Sequence, residues 1–148
     1  MSLVTVRNGL VETLKDSGKW TAAEISTCDF GLMTTSACCI ILQPGPGTQI
    51  EPLALMGGDM VRGSVVRWEI AGMLFVKDPG NPTCLLGALW TACDDILAAV
   101  HRDDTLNGAA QVSGVTAISR PSIDSFVSDG STDWGYISFT VRAEEFLV

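Results

Sequence analysis

An amphipathic pattern over residues 82–101 restricts the fold of this chain more than any other feature. Its apolar residues recur three and four positions apart, which is the spacing of one face of an α-helix. They are Leu85, Leu86, Leu89, Cys93, Ile96, Leu97 and Val100. Pro82 suits the first turn, where its missing N–H costs no hydrogen bond. His101 and Arg102 suit the last turn, where a cation stabilises the helix dipole. A helix of this kind must bury its apolar face against a second layer.

Four segments around this helix have the patterns of β-strands. Cys38 to Leu42 is a short, continuous apolar run, as in a buried strand. Residues 64–72 alternate between apolar and polar side chains, and an extended run continues from there to Lys77. After the helix, Gln111 to Ser119 is rich in β-branched residues, and Tyr136 to Ala143 alternates well. The sequence therefore predicts two strands before the helix and two after it.

The order of these elements predicts the fold class. Residues 2–16 have helical spacing of apolar side chains and form a first helix. Gly72 predicts a bulge in the second strand. The order helix, two strands, helix, two strands favours an α+β fold. We expect a mostly antiparallel sheet of about four strands, with two helices packed on one side and a long loop between the first two strands. No linker divides the chain, so residues 1–148 form a single domain.

The long loop, residues 43–63, has an unusual composition. It contains three prolines and five glycines, yet Leu53, Ala54, Leu55 and Met56 form an apolar stretch in its middle. Loops of this length inside a compact domain are usually functional or disordered. We interpret the segment as one that orders only against a neighbouring molecule. The alternative is that Leu53 to Met56 fold back onto the core of their own domain.

Composition and charge limit the partners of the protein. Hydrophobic residues make up 47% of the chain and charged residues 18%; the charged share is below the usual quarter. This balance indicates that partners cover some of the apolar surface. The net charge is −8, and the chain lacks a basic cluster, so it is poorly suited to gripping nucleic acid. An acidic surface can still stand beside DNA, because it repels phosphate.

The sequence also lacks targeting patterns. No apolar run approaches the roughly 18 to 20 residues of a transmembrane helix. The N-terminal segment MSLVTVRNGL lacks the charged start and apolar stretch of a signal peptide. We therefore expect the chain to be made and folded in the cytosol, with its five cysteines reduced.

A search for catalytic, metal and cofactor motifs gives no candidate. His101 is the one histidine, and a helix end suits a dipole-stabilising cation better than a catalytic base. The cysteines lack the CxxC spacing of zinc sites, DGSTDWG lacks the spacing of an EF-hand, and GGDMVRG lacks the ending of a P-loop. The four tryptophans suit core or interface anchors. We expect no enzymatic activity and no cofactor; a small cysteine-dependent enzyme or ligand-binding domain is the alternative from another class.

The whole pattern resembles the tail terminator family of long-tailed bacteriophages, also called tail completion or minor tail proteins. The resemblance lies in element order and length over nearly the whole chain. It consists of the first helix, the long insertion before VVRWEIAG, the helix of about twenty residues, the turn DDTLNG, and two closing strands that end in YISFTVRAEEF. The family has no strict residue motif.

The resemblance implies a structural role in the virion. Members of the family fold as a sheet with helices on one side and assemble as a six-fold ring on the finished tail tube. The ring stops tube growth and joins the tail to the head connector, and DNA passes through it without specific binding. The expected partners are copies of the same chain, the major tail tube protein and the connector, with no membrane. The expected location is the tail–neck junction of the virion, after synthesis and assembly in the host cytoplasm. The alternative within the virion is a head-completion protein, the adaptor or stopper of the neck.

Two sets of residues are candidates for this role. Contacts between subunits or with the tube are expected from Leu53, Leu55, Met56, Met60, Arg62 and Arg67. An acidic lumen or outer surface is expected from Asp94, Asp95, Asp103, Asp104, Asp129 and Asp133. Methionine suits a surface that must fit more than one neighbour. The cysteines could oxidise once the virion leaves the cytosol and cross-link the ring, although buried reduced thiols are the alternative.

Overall fold

The computed structural model describes residues 3–26, 38–45, 47, 49–52, 64–78, 82–106, 108–110, 112–120, 122–125 and 133–147. In these residues the helices are α1 (Leu3–Asp16), a short 3₁₀ turn (Ala22–Glu24) and α2 (Pro82–Arg102). The strands are β1 (Ile25–Ser26), β2 (Cys38–Pro44), β3 (Gln49–Pro52), β4 (Ser64–Asp78), β5 (Val112–Ile118), β6 (Ser122–Ser125) and β7 (Asp133–Leu147). Both predicted helices and the four predicted strands are present.

Two long strands form the centre of the sheet. β4 and β7 pair antiparallel along their full length, from Ser64 opposite Leu147 to Asp78 opposite Asp133. β2 and β3 lie end to end along the other side of β4, and β5 and β6 lie end to end along the other side of β7. The two-residue β1 adds a parallel pair beside β2. The sheet is thus four antiparallel positions wide, and the predicted α+β fold is confirmed.

One face of the sheet carries both helices. Alternate residues of β7 point to this face and are buried, because successive side chains of a strand lie on opposite sides. They are Ile137, Phe139, Val141 and Ala143. The buried side chains of both helices belong to the same core cluster. They are Val6, Leu10 and Leu14 from α1 and Leu89, Ile96 and Val100 from α2. The main core therefore lies between the sheet and two helices on one side, as the sequence predicts.

The role of Gly72 differs from the sequence prediction. Gly72 does not form a bulge, because it keeps the regular register between Leu42 and Phe139. The register shifts instead in β5, between Val115 and Ala117. Gly72 has a packing role: a Cβ atom at this position would lie 2.6 Å from Cε1 and Cε2 of Phe139. The ring of Phe139 occupies the space that a side chain on residue 72 would need.

The predicted loop is also shorter than expected. Residues 49–52 form β3, which pairs with Ser64 to Arg67 of β4. A four-residue segment that contains proline gives no alternation signal, so the sequence did not predict this strand. Leu86, which the helical pattern assigned to the buried face, is 37% exposed.

Candidate assembly surface

The start of the long loop is fastened to the sheet. The N–H of Gly45 donates a hydrogen bond of 2.8 Å to the carbonyl oxygen of Glu69. A Cβ atom on Gly45 would lie 2.7 Å from Cβ of Glu69, and one on Gly47 would lie 2.8 Å from its Oε2. Glycine is therefore required at position 45, where a side chain would meet the backbone of Glu69, whereas at position 47 only the mobile end of the Glu69 side chain would have to shift. With β3 also paired to β4, the described parts of this segment are held on one strand.

The predicted contact residues of the loop are outside the described part of the chain. These are Leu53, Leu55, Met56, Met60 and Arg62. Their role in assembly stays a prediction. What is described is the geometry of the segment's ends, since β3 finishes at Pro52 and β4 begins at Ser64, directly opposite each other in the sheet.

Beside β3, two ion pairs cross between the central strands. Arg67 Nε lies 2.8 Å from Glu144 Oε1, and Arg142 Nη2 lies 2.8 Å from Glu69 Oε1. The members of each pair are direct neighbours across the strands, which is where opposite charges stabilise a sheet. Arg67 thus has an acidic partner in its own chain. The predicted pairing of Arg67 with a neighbouring molecule stays a prediction.

The sheet face opposite the helices carries a second apolar cluster. Cys39, Ile41 and Phe75 are buried there, and Met73 and Tyr136 pack against them half-buried. The rings of Phe75 and Tyr136 have centroids 5.9 Å apart and planes inclined by 38°, within the range of favourable aromatic pairs. Both faces of the sheet therefore bury apolar side chains, and the ion pairs of Arg67 and Arg142 lie on this second face.

The predicted acidic residues of α2 and of the turn that follows it have different surroundings. Asp94 is exposed on α2, and Asp95 is half-buried with its Oδ1 3.9 Å from Lys19 Nζ. Asp103 accepts a 2.7 Å hydrogen bond from the Thr105 hydroxyl and so shapes the turn after α2. The neighbouring Asp104 is exposed.

The structure describes only the backbone of one of the two remaining predicted aspartates. Asp129 is outside the described residues, and the backbone of Asp133 begins β7 opposite Asp78. α2 begins a few residues after Asp78, and a helix of 21 residues extends about 32 Å. Asp133 and the pair Asp103–Asp104 therefore lie at opposite ends of α2. An acidic lumen could include one of these groups without the other.

Three cysteines have described side chains, Cys38, Cys39 and Cys93, and their surroundings favour the thiol form at neutral pH. Burial and the charge of Glu24 raise the pKa of Cys38 to about 11. Burial and the neighbouring Cys38 raise the pKa of Cys39 to about 11 as well. Burial also raises the pKa of Cys93. A catalytic or metal-binding cysteine requires the thiolate, and these surroundings oppose its formation. Cross-linking of the ring through cysteines stays a prediction.

The exposed side of α2 presents an unexpected aromatic residue. Trp90 is 63% exposed, and Leu86 lies one turn before it with 37% of its surface exposed. The sequence placed Trp90 among possible core or interface anchors but gave no means of choosing. The helical spacing gives no signal for its exposure, because Trp90 lies four residues after Leu86 and three before Cys93, both of which the pattern assigns to the apolar face.

The described residues contain neither a cluster suited to a metal ion nor a helix suited to a membrane. There, no group of three or more histidine, cysteine, aspartate or glutamate side chains is placed to hold a metal ion. None of the described helices is long and apolar enough to cross a membrane.

No protein-family model matches the sequence, and no curated protein matches it.

Proposed function

We propose that this protein is a structural subunit of a bacteriophage virion that caps the tail tube. In this role, six copies form a ring that ends tube growth, joins the tail to the head connector and leaves a channel for DNA. The observation that carries the proposal is the arrangement around β4. Both described ends of the long insertion are held on this one strand, by the hydrogen bond of Gly45 to Glu69 and by the pairing of β3 with β4.

The composition of the insertion supports a contact role. Residues 53–60 contain four leucine or methionine side chains and no basic residue. Apolar side chains between two fixed points can be buried against a neighbouring molecule without rearranging the sheet. Binding of this kind orders the segment at the moment of contact, which suits a part that joins an assembly at a defined step.

Charge and chemistry agree with a passive channel. A closed ring repeats the charge of −8 on every subunit, and an acidic wall keeps DNA from adhering. The described thiols have raised pKa values, which opposes the alternative of a cysteine-dependent enzyme. A neck adaptor or stopper has the same composition, so binding to tube or to portal must separate the two.

The test uses the full chain, purified tail tubes and portal-bearing heads. We expect negative-stain images to show rings at one end of the tubes, and no binding to heads alone. Tubes that keep growing in the presence of the protein would contradict the proposal. Binding to heads instead of tubes would favour the neck adaptor.

A variant of the insertion tests whether its apolar residues contact a neighbouring molecule. Replacing Leu53, Leu55 and Met56 with serine keeps the length of the segment and leaves β3 intact. We expect a folded chain, checked by circular dichroism, that no longer caps tubes. The matched control is Val112→Ser, which removes an apolar side chain that is 43% exposed on β5. Capping by the triple variant at the wild-type level would show that the insertion is only a connection.

A further inference from the structure

A small apolar pocket lies between the first turns of α1 and the end of β2. Its volume is about 180 Å³, and its apolar walls are Leu3, Val4, Leu42 and Ile70. Arg7 also lines it. An apolar cavity of about 150 Å³ accepts a benzene molecule, so this pocket is large enough for an aromatic ring. Its arginine suits the face of such a ring, since guanidinium groups stack on aromatic side chains.

Trp90 is the described aromatic side chain best placed to enter a pocket of this kind. It is 63% exposed, and tryptophan is enriched among the residues that dominate protein interfaces. One turn later on the same side of α2 is Asp94, also exposed. An indole that enters the pocket would therefore bring a carboxylate towards Arg7. The pocket has the volume for a ring, and Asp94 and Arg7 carry opposite charges.

Trp90 cannot fill the pocket of its own molecule, because the two lie on opposite flanks of the helix layer. Ala99 faces the end of α1, because it lines a cavity with Ser17 and Lys19, which follow directly after that helix. Trp90 is nine residues before Ala99, which is about two and a half helical turns, so it points away from α1.

The pocket faces away from α2 in the same manner. Gly9 of α1 is packed against Leu106 and Ala109, in the turn that follows α2. Arg7 is two residues from Gly9, which is about 200° around the helix, so the pocket side of α1 points outward. A residue on one outer flank and a pocket on the other can meet only between two molecules.

We propose that Trp90 of one copy inserts into the pocket formed by Leu3, Val4 and Arg7 of the next copy. The contact is head-to-tail, because it joins two different surfaces. Repeated around a closing rotation, such a contact builds a ring, and without closure it builds a filament. The proposal rests on the proposed function for the ring itself, and it adds the contact that would join the subunits.

Two single variants separate the two halves of the contact. Trp90→Ala removes the inserting side chain and keeps the pocket. Val4→Glu blocks the pocket and keeps Trp90; residue 4 is 53% exposed, and a carboxylate is favourable in the first turn of a helix. Both changes are at exposed positions, so the monomer should fold, and circular dichroism checks this. Val112→Ser is again the control for loss of an exposed apolar side chain.

The masses are measured by sedimentation or light scattering over a range of concentrations. We expect the wild type and Val112→Ser to exceed the mass of two chains, while each contact variant alone stays at the 15.7 kDa of one chain, with association weakened at least tenfold. An equal mixture of the two variants should form pairs and stop there. One intact half comes from each partner, and no free complementary half remains.

The possible failures of the two proposals can be told apart. A wild-type chain that stays monomeric at every soluble concentration overturns this contact. If the wild type forms rings and either contact variant does too, the contact is wrong while the ring remains. If the mixture pairs as expected and tail tubes remain uncapped, the contact is right and the proposed function is wrong.

Discussion

Gly72 lies at the centre of the sheet, and its replacement by alanine tests how tightly β4 and β7 are packed. It is opposite Phe139, whose side chain is 2% exposed. A Cβ atom on residue 72 would lie 2.6 Å from two atoms of the ring, whereas carbon atoms in contact are normally about 3.5–4.0 Å apart. The ring must therefore shift by about 1 Å within a packed core.

The size of the effect follows from two opposing terms. Overpacking a core costs about 1–3 kcal/mol. A clash with Cζ, Cε1 and Cε2 at the end of the buried Phe139 ring belongs at the upper end, about 3 kcal/mol. Alanine in a strand regains up to about 1 kcal/mol relative to glycine. We expect Gly72→Ala to lower the free energy of unfolding by about 2 kcal/mol. For a chain of this size, that corresponds to a fall in Tm of about 4–8 °C.

Urea and thermal unfolding followed by circular dichroism measure this change. The matched control is Gly114→Ala in β5, where an added Cβ atom meets nothing within 4 Å; it should raise stability by about 0.5–1 kcal/mol. A shared contact also predicts coupling: Phe139→Leu should cost less in the Gly72→Ala background than alone, by about 0.5–3 kcal/mol. If Gly72→Ala is as stable as the wild type, the packing argument is wrong.

Three further predictions concern buried or paired groups. Thr13 is 1% exposed and its hydroxyl has no hydrogen-bond partner in the described part of the chain; Thr13→Val should therefore raise the free energy of unfolding by about 1 kcal/mol, and an unchanged Tm would contradict this. Cys38 and Cys39, with pKa values of about 11, should alkylate slowly at neutral pH and about tenfold faster per pH unit above it, as peptide mass spectrometry would measure. The fold raises the pKa of both thiols above 9.0, so the unfolded chain loses these protons first as the pH rises. The two thiols therefore stabilise the fold below pH 9, and this stabilisation is lost as the pH rises towards 11. Arg142→Glu places a second carboxylate directly opposite Glu69 and should lower the free energy of unfolding by about 1 kcal/mol. The double variant with Glu69→Arg should regain that stability, as thermal unfolding would measure.

Periodicity accounts for the parts of the fold that the sequence alone predicts. The spacing of Leu89, Ile96 and Val100 identifies the buried side of α2, and the alternation of Ile137, Phe139 and Val141 identifies the inner face of β7. These patterns are local, because each repeats within one element and reflects only which side meets the core. The order of the elements then restricts the chain to an α+β fold.

The sequence alone was less informative where an assignment depended on one residue. A glycine inside a strand predicts a bulge, as at Gly72. Its actual role depends on the ring of Phe139, which is 67 positions later in the chain. The strand β3 forms because β4 offers an edge to Gln49–Pro52, although those four residues show no strand pattern of their own. In both cases a distant partner decides the local structure.

For the candidate surface too, some properties follow from the sequence and others only from the tertiary structure. The sequence alone determined that the chain is acidic, low in charged residues and interrupted by a long insertion with apolar residues at its centre. Only the tertiary structure decided that Gly45 and β3 fasten that insertion to β4, that Arg67 has a partner in Glu144, and that Trp90 lies on the flank opposite the pocket beside Arg7. The physical reason is that composition and periodicity are properties of neighbouring residues, whereas burial, pairing and exposure depend on which distant segments the fold brings together.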